Sequence, residues 1–231
     1  MQGIRALLFD KDGTLFDFHR SWSGWAAGLL ADLADGDDAR AARLAEAVGF
    51  DRHAVRFRPG SPFIASTLDE VCALMLPHLP RWDEAALRAL AVARASRARM
   101  VPPVPLDPLL SGLRARGLAL GVATNDAESA ARVQLAEAGI APHFDMILGF
   151  DSGPVPKPAP DMLLFFAERM GIDPGAVAMV GDSTHDLHAG RAAGMVTVAV
   201  LTGIAVAEDL APHADHGLAD VGELPALLGG G

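Results

Sequence analysis

The chain has 231 residues, of which 51% are hydrophobic and 21% charged, a composition typical of a soluble globular protein. Its formal net charge of −10 argues against a general nucleic-acid or anionic-membrane surface, because both call for a basic patch. Cys72 is the only cysteine, so no disulfide can form within the chain. Since we also find no signal peptide and no apolar run of membrane-spanning length, we expect a cytoplasmic protein.

Five short runs rich in Val, Leu and Ile are predicted to form strands. In chain order they are Ile4–Phe9, Leu118–Ala123, Met146–Leu148, Val177–Val180 and Val196–Val200. Their apolarity is nearly continuous, which is typical of parallel strands covered on both faces. Helices are predicted between the later strands over about 127–138, 161–171 and 186–193. This alternation predicts an α/β fold with a doubly wound, Rossmann-like parallel sheet of five or more strands.

The segment between the first two strands has a different character. It is rich in Ala, Leu, Arg and Asp, shows helical periodicity and contains no convincing strand. The stretch "VPPVPLDP", 101–108, is typical of a stiff return linker. We therefore predict a catalytic core formed by residues 1–18 and 101–231, with residues 19–100 inserted as a helical domain.

Polar residues collect where the predicted strands end. In chain order they are Asp10, Asp12 and Gly13 in "DKDGT", Thr124, Asn125 and Asp126 in "TND", Lys157 in "KPAP", and Asp182 and Asp186 in "GDSTHD". The carboxyl ends of parallel strands lie at one edge of a sheet, and ligands bind at that edge. The four clusters together therefore predict one functional site.

The charges of this site call for a cation. Two carboxylates about 4 Å apart repel by about 4 kcal/mol at an effective dielectric constant of about 20, so several of them need positive charge nearby. Lys157 is one candidate, and Mg²⁺ is the other, because an oxygen-only ligand set favours it over Zn²⁺. Gly13 can expose backbone amides, and Asn125 or Asp126 can cap the helix that follows. Such a site suits a phosphate group.

These motifs resemble those of the haloacid dehalogenase superfamily, in the same order and over nearly the whole chain. "DKDGT" is similar to its first motif, Thr124–Asn125 to its second, Lys157 to its third and "GDSTHD" to its fourth. The inserted helical domain resembles the C1-type cap of the superfamily. The phosphoglycolate phosphatase-like hydrolases are the group that the chain resembles most.

The resemblance implies a role for each motif residue. Asp10 would be the nucleophile that forms an aspartyl-phosphate, and Asp12 the general acid and then the general base. Thr124 and Lys157 would hold the phosphoryl oxygens, with Gly13 and Asn125 as further phosphate contacts. Mg²⁺ would be bound by the Asp10 carboxylate, the Asp12 carbonyl and Asp182, while Asp186 would act from the outer sphere.

Lys11 departs from the pattern, because many members of the superfamily carry an apolar residue there. In an extended segment its side chain should point away from Asp10 and Asp12, so we interpret it as structural or solvent-facing.

The helical insert contains candidate substrate contacts. Arg20 follows the first motif closely, and Arg52, Arg56 and Arg58 lie in the basic segment "FDRHAVRFRPG". An arginine there, Arg56 in particular, could bind a carboxylate or a second phosphate of the substrate.

We therefore expect a Mg²⁺-dependent phosphatase acting on a small phosphorylated metabolite, with 2-phosphoglycolate suggested by the resemblance. Two alternatives stay open: a phosphomutase of the same superfamily and a non-catalytic phosphate-binding protein. We expect no nucleic-acid or membrane partner, and a monomer or homodimer.

Overall fold

A computed structural model describes residues 1, 3–58, 61–65, 68–95 and 98–229 of the chain. These residues form two compact units. The first consists of Met1–Phe18 and Met100–Gly231, and the second is His19–Arg99. Within the described residues, no helix is both long enough and apolar enough to cross a membrane. The cytoplasmic location stays a prediction.

A six-stranded parallel sheet forms the centre of the first unit. Its strands are β1 (Ala6–Phe9), β4 (Ala119–Ala123), β5 (Met146–Leu148), β6 (Val177–Gly181), β7 (Val196–Val200) and β8 (His216–Leu218), in the spatial order β5-β4-β1-β6-β7-β8. The predicted α/β class and doubly wound parallel sheet are confirmed. The five predicted strands are present with bounds within two residues, whereas β8 was missed because three residues that include a His and a Gly carry little strand signal.

Helices cover both faces of this sheet. They are α6 (Leu106–Ala115), α7 (Glu128–Glu137), α8 (Asp161–Met170), α9 (Thr184–Ala192), α10 (Ala207–Leu210) and α11 (Leu224–Leu227). The three helices predicted between strands correspond to α7, α8 and α9. The end of α8 shows the expected glycine signal, because Gly171 adopts a left-handed conformation with φ of 63°.

The near-continuous apolarity of the strands follows from burial on both faces. Leu7 and Phe9 of β1 pack into one hydrophobic cluster together with Leu110 of α6. Ala6 and Leu8 point the other way and pack into a second cluster, which includes Phe166 of α8. All four β1 residues are fully buried. Burying such a strand on both faces anchors its carboxyl end, where Asp10 follows, in the middle of the sheet.

The second unit is mostly helical. Its helices are α1 (Phe18–Ala34), which begins one residue before the unit, α2 (Asp38–Ala47), α3 (Pro62–Ala65), α4 (Leu68–Met75) and α5 (Glu84–Ala95). It also contains a short antiparallel pair, β2 (Phe50–Asp51) and β3 (Arg56–Phe57). The expectation of no strand in this segment is therefore wrong. Two-residue strands are too short to produce a periodic sequence signal. Parts of the predicted helical segments, residues 66–67 and 96–97, lie outside the described residues.

Candidate active site

The three central strands bring the main polar clusters to one edge of the sheet. β1 lies between β4 and β6, so the residues that follow these strands are spatial neighbours. Asp10 follows β1, Thr124 follows β4 and Asp182 follows β6. All three side chains are buried, with 2–8% of each residue exposed. This is the edge at which parallel α/β sheets bind ligands.

Three carboxylates converge there around a buried ammonium group. Asp10, Asp182 and Asp186 each offer an oxygen, and these oxygens lie within 4.8 Å of one another. Lys157 Nζ donates hydrogen bonds to Asp10 Oδ1 at 2.7 Å and to Asp186 Oδ1 at 2.6 Å. The structure thus brings together four of the residues that the sequence placed at this edge. When all four groups are ionised, two negative charges remain in excess.

Burial and the neighbouring negative charges raise the pKa values of two of these carboxylates. Burial, together with the neighbouring Asp186, raises the pKa of Asp10 from the usual 3.8 to about 7, although Lys157 opposes the rise. Burial also raises the pKa of Asp182 well above its usual range, with further contributions from Asp10 and Asp186. For Lys157, burial works against the charged form, but Asp10 and Asp186 outweigh it and hold the pKa above the ordinary value.

The donor set fits a magnesium ion. The three converging groups are all carboxylates, and Mg²⁺ prefers oxygen ligands. A divalent cation would neutralise the two excess negative charges, and its positive charge would oppose the rise in the pKa values of Asp10 and Asp182. Asp10 and Asp182 are the candidate direct ligands. Lys157 contacts both Asp10 and Asp186, and the outer-sphere place of Asp186 stays a prediction.

Asn125 positions the lysine loop. Its Nδ2 donates to the backbone carbonyl of Lys157 at 2.8 Å, and its Oδ1 accepts from the Lys157 backbone N–H at 3.1 Å. Both polar atoms of the side-chain amide thus contact the backbone of Lys157, and the phosphate contact of Asn125 stays a prediction. The predicted capping of the next helix by Asn125 or Asp126 is wrong. The first amide of α7, at Glu128, donates to Asp151 Oδ1 at 2.8 Å.

The hydroxyl of Thr124 lies in the turn that follows β4. Its Oγ1 accepts a hydrogen bond from the backbone N–H of Asp126 at 3.1 Å. The Thr124 backbone N–H donates to the carbonyl of Leu148 in β5 at 2.9 Å. The turn therefore holds Thr124 at the active-site edge, where its predicted contact with a phosphoryl oxygen stays a prediction.

Two glycines let the backbone pass close to Asp182. Gly13 has φ of 88°, and a Cβ atom there would lie 2.3 Å from Asp182 Oδ2. At Gly203 the corresponding distance is 1.7 Å. Both distances are too short for any side chain, so glycine is required at both positions. Gly13 was predicted as part of the site, whereas Gly203 was not.

Hydroxyl groups that the sequence reasoning did not single out also support the carboxylates. Thr14 Oγ1 donates to Asp182 Oδ1 at 3.4 Å, and Thr202 Oγ1 donates to the carbonyl of Gly13 at 2.6 Å. Ser183 Oγ donates to Asp186 Oδ2 at 2.6 Å and caps the start of α9. Thr14 and Ser183 lie inside the predicted motifs, which is the signal that could have identified them.

Lys11 does not point into solvent. Its side chain is fully buried, and Nζ donates to Asp12 Oδ2 at 2.5 Å and to Gln134 Oε1 at 2.5 Å. The expectation that it points away from its Asp neighbours is wrong with respect to Asp12. The strand ends at Phe9, so the alternation of side chains that holds in a strand does not continue to Lys11.

The arginines of the second unit are placed as follows. Arg20 lies in α1 and Arg56 begins β3, where its side chain is exposed. Arg52 is paired with Asp38, and Arg58 Nη1 lies 2.8 Å from Glu46 Oε2. In the described part of the chain, no ion pair is formed by Arg56.

Comparison with known proteins identifies the class. The family model described as haloacid dehalogenase-like hydrolase matches residues 4–194, which is most of the chain. The protein therefore belongs to the haloacid dehalogenase-like hydrolase family, and the resemblance seen in its motifs is confirmed.

Individual relatives are phosphatases by name. The chain is 32% identical over 208 residues to "Probable phosphatase IndB" of Dickeya dadantii, which covers 88% of this chain and 84% of that one. It is 31% identical over 209 residues to "Phosphoglycolate phosphatase" of Neisseria meningitidis, with 88% and 83% covered. The crystal structure of an HAD phosphatase from Thermococcus onnurineus matches with a TM-score of 0.66 and 25% identity, over 98% of this chain and 99% of that one.

Proposed function

We propose that this protein hydrolyses the phosphate monoester of a small metabolite through an aspartyl-phosphate on Asp10, with Mg²⁺ as its cofactor. It is a phosphatase of the haloacid dehalogenase-like hydrolase family, as the family match and the phosphatase relatives indicate. The mechanism rests on one observation above all: Lys157 joins Asp10 and Asp186 in a buried carboxylate cluster with Asp182.

The nucleophile is the Asp10 carboxylate. Lys157 Nζ, 2.7 Å from Asp10 Oδ1, fixes the orientation of the carboxylate and offers positive charge to the incoming phosphoryl oxygens. A carboxylate oxygen forms a bond to phosphorus while the bond from phosphorus to the ester oxygen breaks. Asp10 and Asp182 would hold Mg²⁺, whose charge would let a phosphate dianion approach the Asp10 carboxylate.

Asp12 carries the protons of both steps. It gives a proton to the departing alcohol oxygen, and then takes one from the water that attacks the phosphorus of the aspartyl-phosphate. Asp12 ends the cycle protonated, and Asp10 is regenerated as inorganic phosphate leaves. The side chain of Asp12 is 22% exposed and that of Asp10 is 11% exposed. The greater exposure of Asp12 is compatible with access to a substrate oxygen and to water.

The experiment is a phosphate-release assay with p-nitrophenyl phosphate and a panel of phosphorylated metabolites, with and without Mg²⁺. We expect metal-dependent release of phosphate, and a loss of at least about 1,000-fold for Asp10→Asn, because that amide cannot attack phosphorus. Activity that survives Asp10→Asn would overturn the nucleophile assignment. Mg²⁺ binding without turnover across the panel would instead favour a phosphate-binding protein, and an isomerised sugar phosphate as product would favour a phosphomutase.

We propose that Arg56 binds the second anionic group of the substrate. Arg52 and Arg58 are neutralised by Asp38 and Glu46, which sets Arg56 apart within the hairpin segment. A substrate such as 2-phosphoglycolate, the compound in the name of the Neisseria relative, carries a carboxylate that a guanidinium binds well.

Matched variants test this substrate assignment. Arg56→Ala should raise KM about tenfold for substrates with a carboxylate and leave p-nitrophenyl phosphate unaffected, because only the former lose an ion pair. Arg52→Ala serves as the control and should change neither value. Equal KM changes for Arg56→Ala and Arg52→Ala would remove Arg56 from the substrate site.

A further inference from the structure

Lys11 forms a buried contact network beside the proposed acid and base. Its side chain is 0% exposed, and Nζ donates to Asp12 Oδ2 and to Gln134 Oε1, both at 2.5 Å. Asp126 Oδ2 lies 3.3 Å from the same ammonium group. The partners come from three parts of the fold, since Asp12 follows β1, Asp126 follows β4 and Gln134 belongs to α7.

Lysine is a rare residue in this chain, which makes its presence at position 11 notable. The sequence contains only two lysines, Lys11 and Lys157, among 19 basic residues. Both are buried against carboxylates that follow strands of the sheet. Burying an ammonium group costs free energy unless each of its N–H donors has an acceptor. The three acceptors around Lys11 Nζ therefore indicate a specific site for a lysine. A methionine or leucine would fill this volume without any such requirement.

We propose that Lys11 is a positioning residue for the reaction, which holds the Asp12 carboxylate in place and ties it to α7 and to the turn after β4. The inference rests on the phosphatase function proposed above. The Asp12 side chain is 22% exposed, whereas the Lys11 side chain is fully buried. The ammonium group therefore contacts the carboxylate from its buried side. Gln134 and Asp126 in turn hold the ammonium, and the flexible lysine stem cannot swing freely.

The consequence concerns proton transfer to the leaving group. Asp12 must bring its proton within hydrogen-bond reach of the ester oxygen as the bond to phosphorus breaks. Without Lys11 the carboxylate would sample several rotamers, and only some of them would meet that oxygen. An alkoxide leaving group depends strongly on this proton, while p-nitrophenolate leaves readily without it. The loss of activity caused by removing Lys11 should therefore depend on the leaving group.

The main test compares kcat/KM of Lys11→Met and of the unchanged protein for two substrates. For an alkyl phosphate that the unchanged protein hydrolyses, we expect a fall of about 10- to 100-fold. For p-nitrophenyl phosphate we expect a fall of less than about 3-fold. In an Asp12→Asn background, Lys11→Met should cause no further loss with the alkyl phosphate, because the two residues act as a unit. Equal losses with both substrates, or additive losses, would overturn the proposal.

A measurement on the unmutated side chain covers the case in which Lys11→Met fails to fold. With only two lysines, a ¹⁵N-labelled sample should give two resolvable Nζ correlations by NMR, and Lys157→Met identifies which belongs to Lys11. Asp12→Asn should shift the Lys11 signal and make the Lys11 ammonium protons exchange faster with solvent, while the Lys157 signal stays in place. A Lys11 signal that is averaged by solvent and insensitive to Asp12→Asn would overturn the contact itself.

The two hypotheses fail in distinguishable ways. If the unchanged protein shows no Mg²⁺-dependent release of phosphate, the proposed function fails, while the NMR experiment still decides whether Lys11 holds Asp12. If phosphate is released but the losses do not depend on the leaving group, the phosphatase stands and the positioning role fails.

Discussion

The affinity of the site for Mg²⁺ should weaken steeply as the pH falls from 8 to 5. Protons and the metal ion compete for the same carboxylates, because a ligand must be deprotonated before it binds a cation. The carboxyl group of Asp10 is the relevant one, since burial and Asp186 raise its pKa to about 7. Asp182, whose pKa is also raised by burial and by Asp10, acts in the same direction.

The size of the effect follows from the pKa of Asp10. If one proton with a pKa of about 7 must leave, the apparent Kd rises about 2-fold at pH 7, about 10-fold at pH 6 and about 100-fold at pH 5. A 100-fold change corresponds to about 2.7 kcal/mol. The contribution of Asp182 makes these factors lower bounds. Lys157 does not weaken the trend, because its raised pKa keeps it charged throughout this range.

The stability of the metal-free protein should also depend on pH, but it should fall as the pH rises, whereas the affinity for Mg²⁺ rises. The pKa of Asp10 is higher in the folded state than the usual 3.8, so its contribution to stability is present below pH 3.8 and is lost as the pH rises through about 7. This loss amounts to at most about 4 kcal/mol at pH 8, from 1.36 kcal/mol per pKa unit. Added Mg²⁺ should therefore raise the melting temperature more at pH 8 than at pH 5.

Isothermal titration with MgCl₂ at constant ionic strength tests the prediction. Measurements at pH 5, 6, 7 and 8, each in two buffers of different ionisation enthalpy, give both the Kd and the number of protons released. We expect at least about one proton released at pH 6, because Asp10 alone accounts for about 0.9. The surface variant Asp209→Asn should keep the full pH dependence. A Kd that is constant between pH 6 and pH 8 would refute the reasoning, since it would mean that no site carboxylate titrates in this range.

Two further substitutions probe the backbone around the cluster. Gly203→Ala should lower Mg²⁺-dependent phosphatase activity at least about 100-fold, because its Cβ would lie 1.7 Å from Asp182 Oδ2, while Gly217→Ala, with nothing within 4 Å, should leave activity unchanged. Asn125→Ala should cost about 1–3 kcal/mol in urea unfolding, because the N–H and carbonyl of Lys157 lose their side-chain partner. An unfolding free energy unchanged within about 0.5 kcal/mol would show that these bonds are replaced by water.

The edge of the sheet that carries the site could be predicted from the sequence. Asp10, Thr124 and Asp182 each come directly after a strand, and continuous apolarity marks the strands in the sequence. Parallel topology then places Asp10, Thr124 and Asp182 together without any knowledge of side-chain conformation. The cation requirement followed from charge counting alone, and the structure meets part of it with Lys157.

The contacts that hold these side chains could not be predicted in the same way. Gly203 touches Asp182 only because the loop after β7 passes back over the loop after β6, which depends on how two loops pack. Asn125 looks like a phosphate ligand in its motif, yet its amide geometry matches the backbone of Lys157, 32 residues later in the chain. Sequence patterns report periodicity and local turns, and they carry little information about such long-range pairings.

The two lysines contact different members of the proposed catalytic set of carboxylates. Lys157 contacts Asp10 and Asp186, whereas Lys11 contacts Asp12. The proposed nucleophile and the proposed acid and base therefore have separate counter-ions, although they are only two residues apart in the sequence. A compact ammonium can sit between close carboxylate oxygens, whereas the planar guanidinium fork of arginine needs more room. This difference gives a physical reason for lysine at both buried positions in a chain that has arginine at every other lysine-or-arginine position.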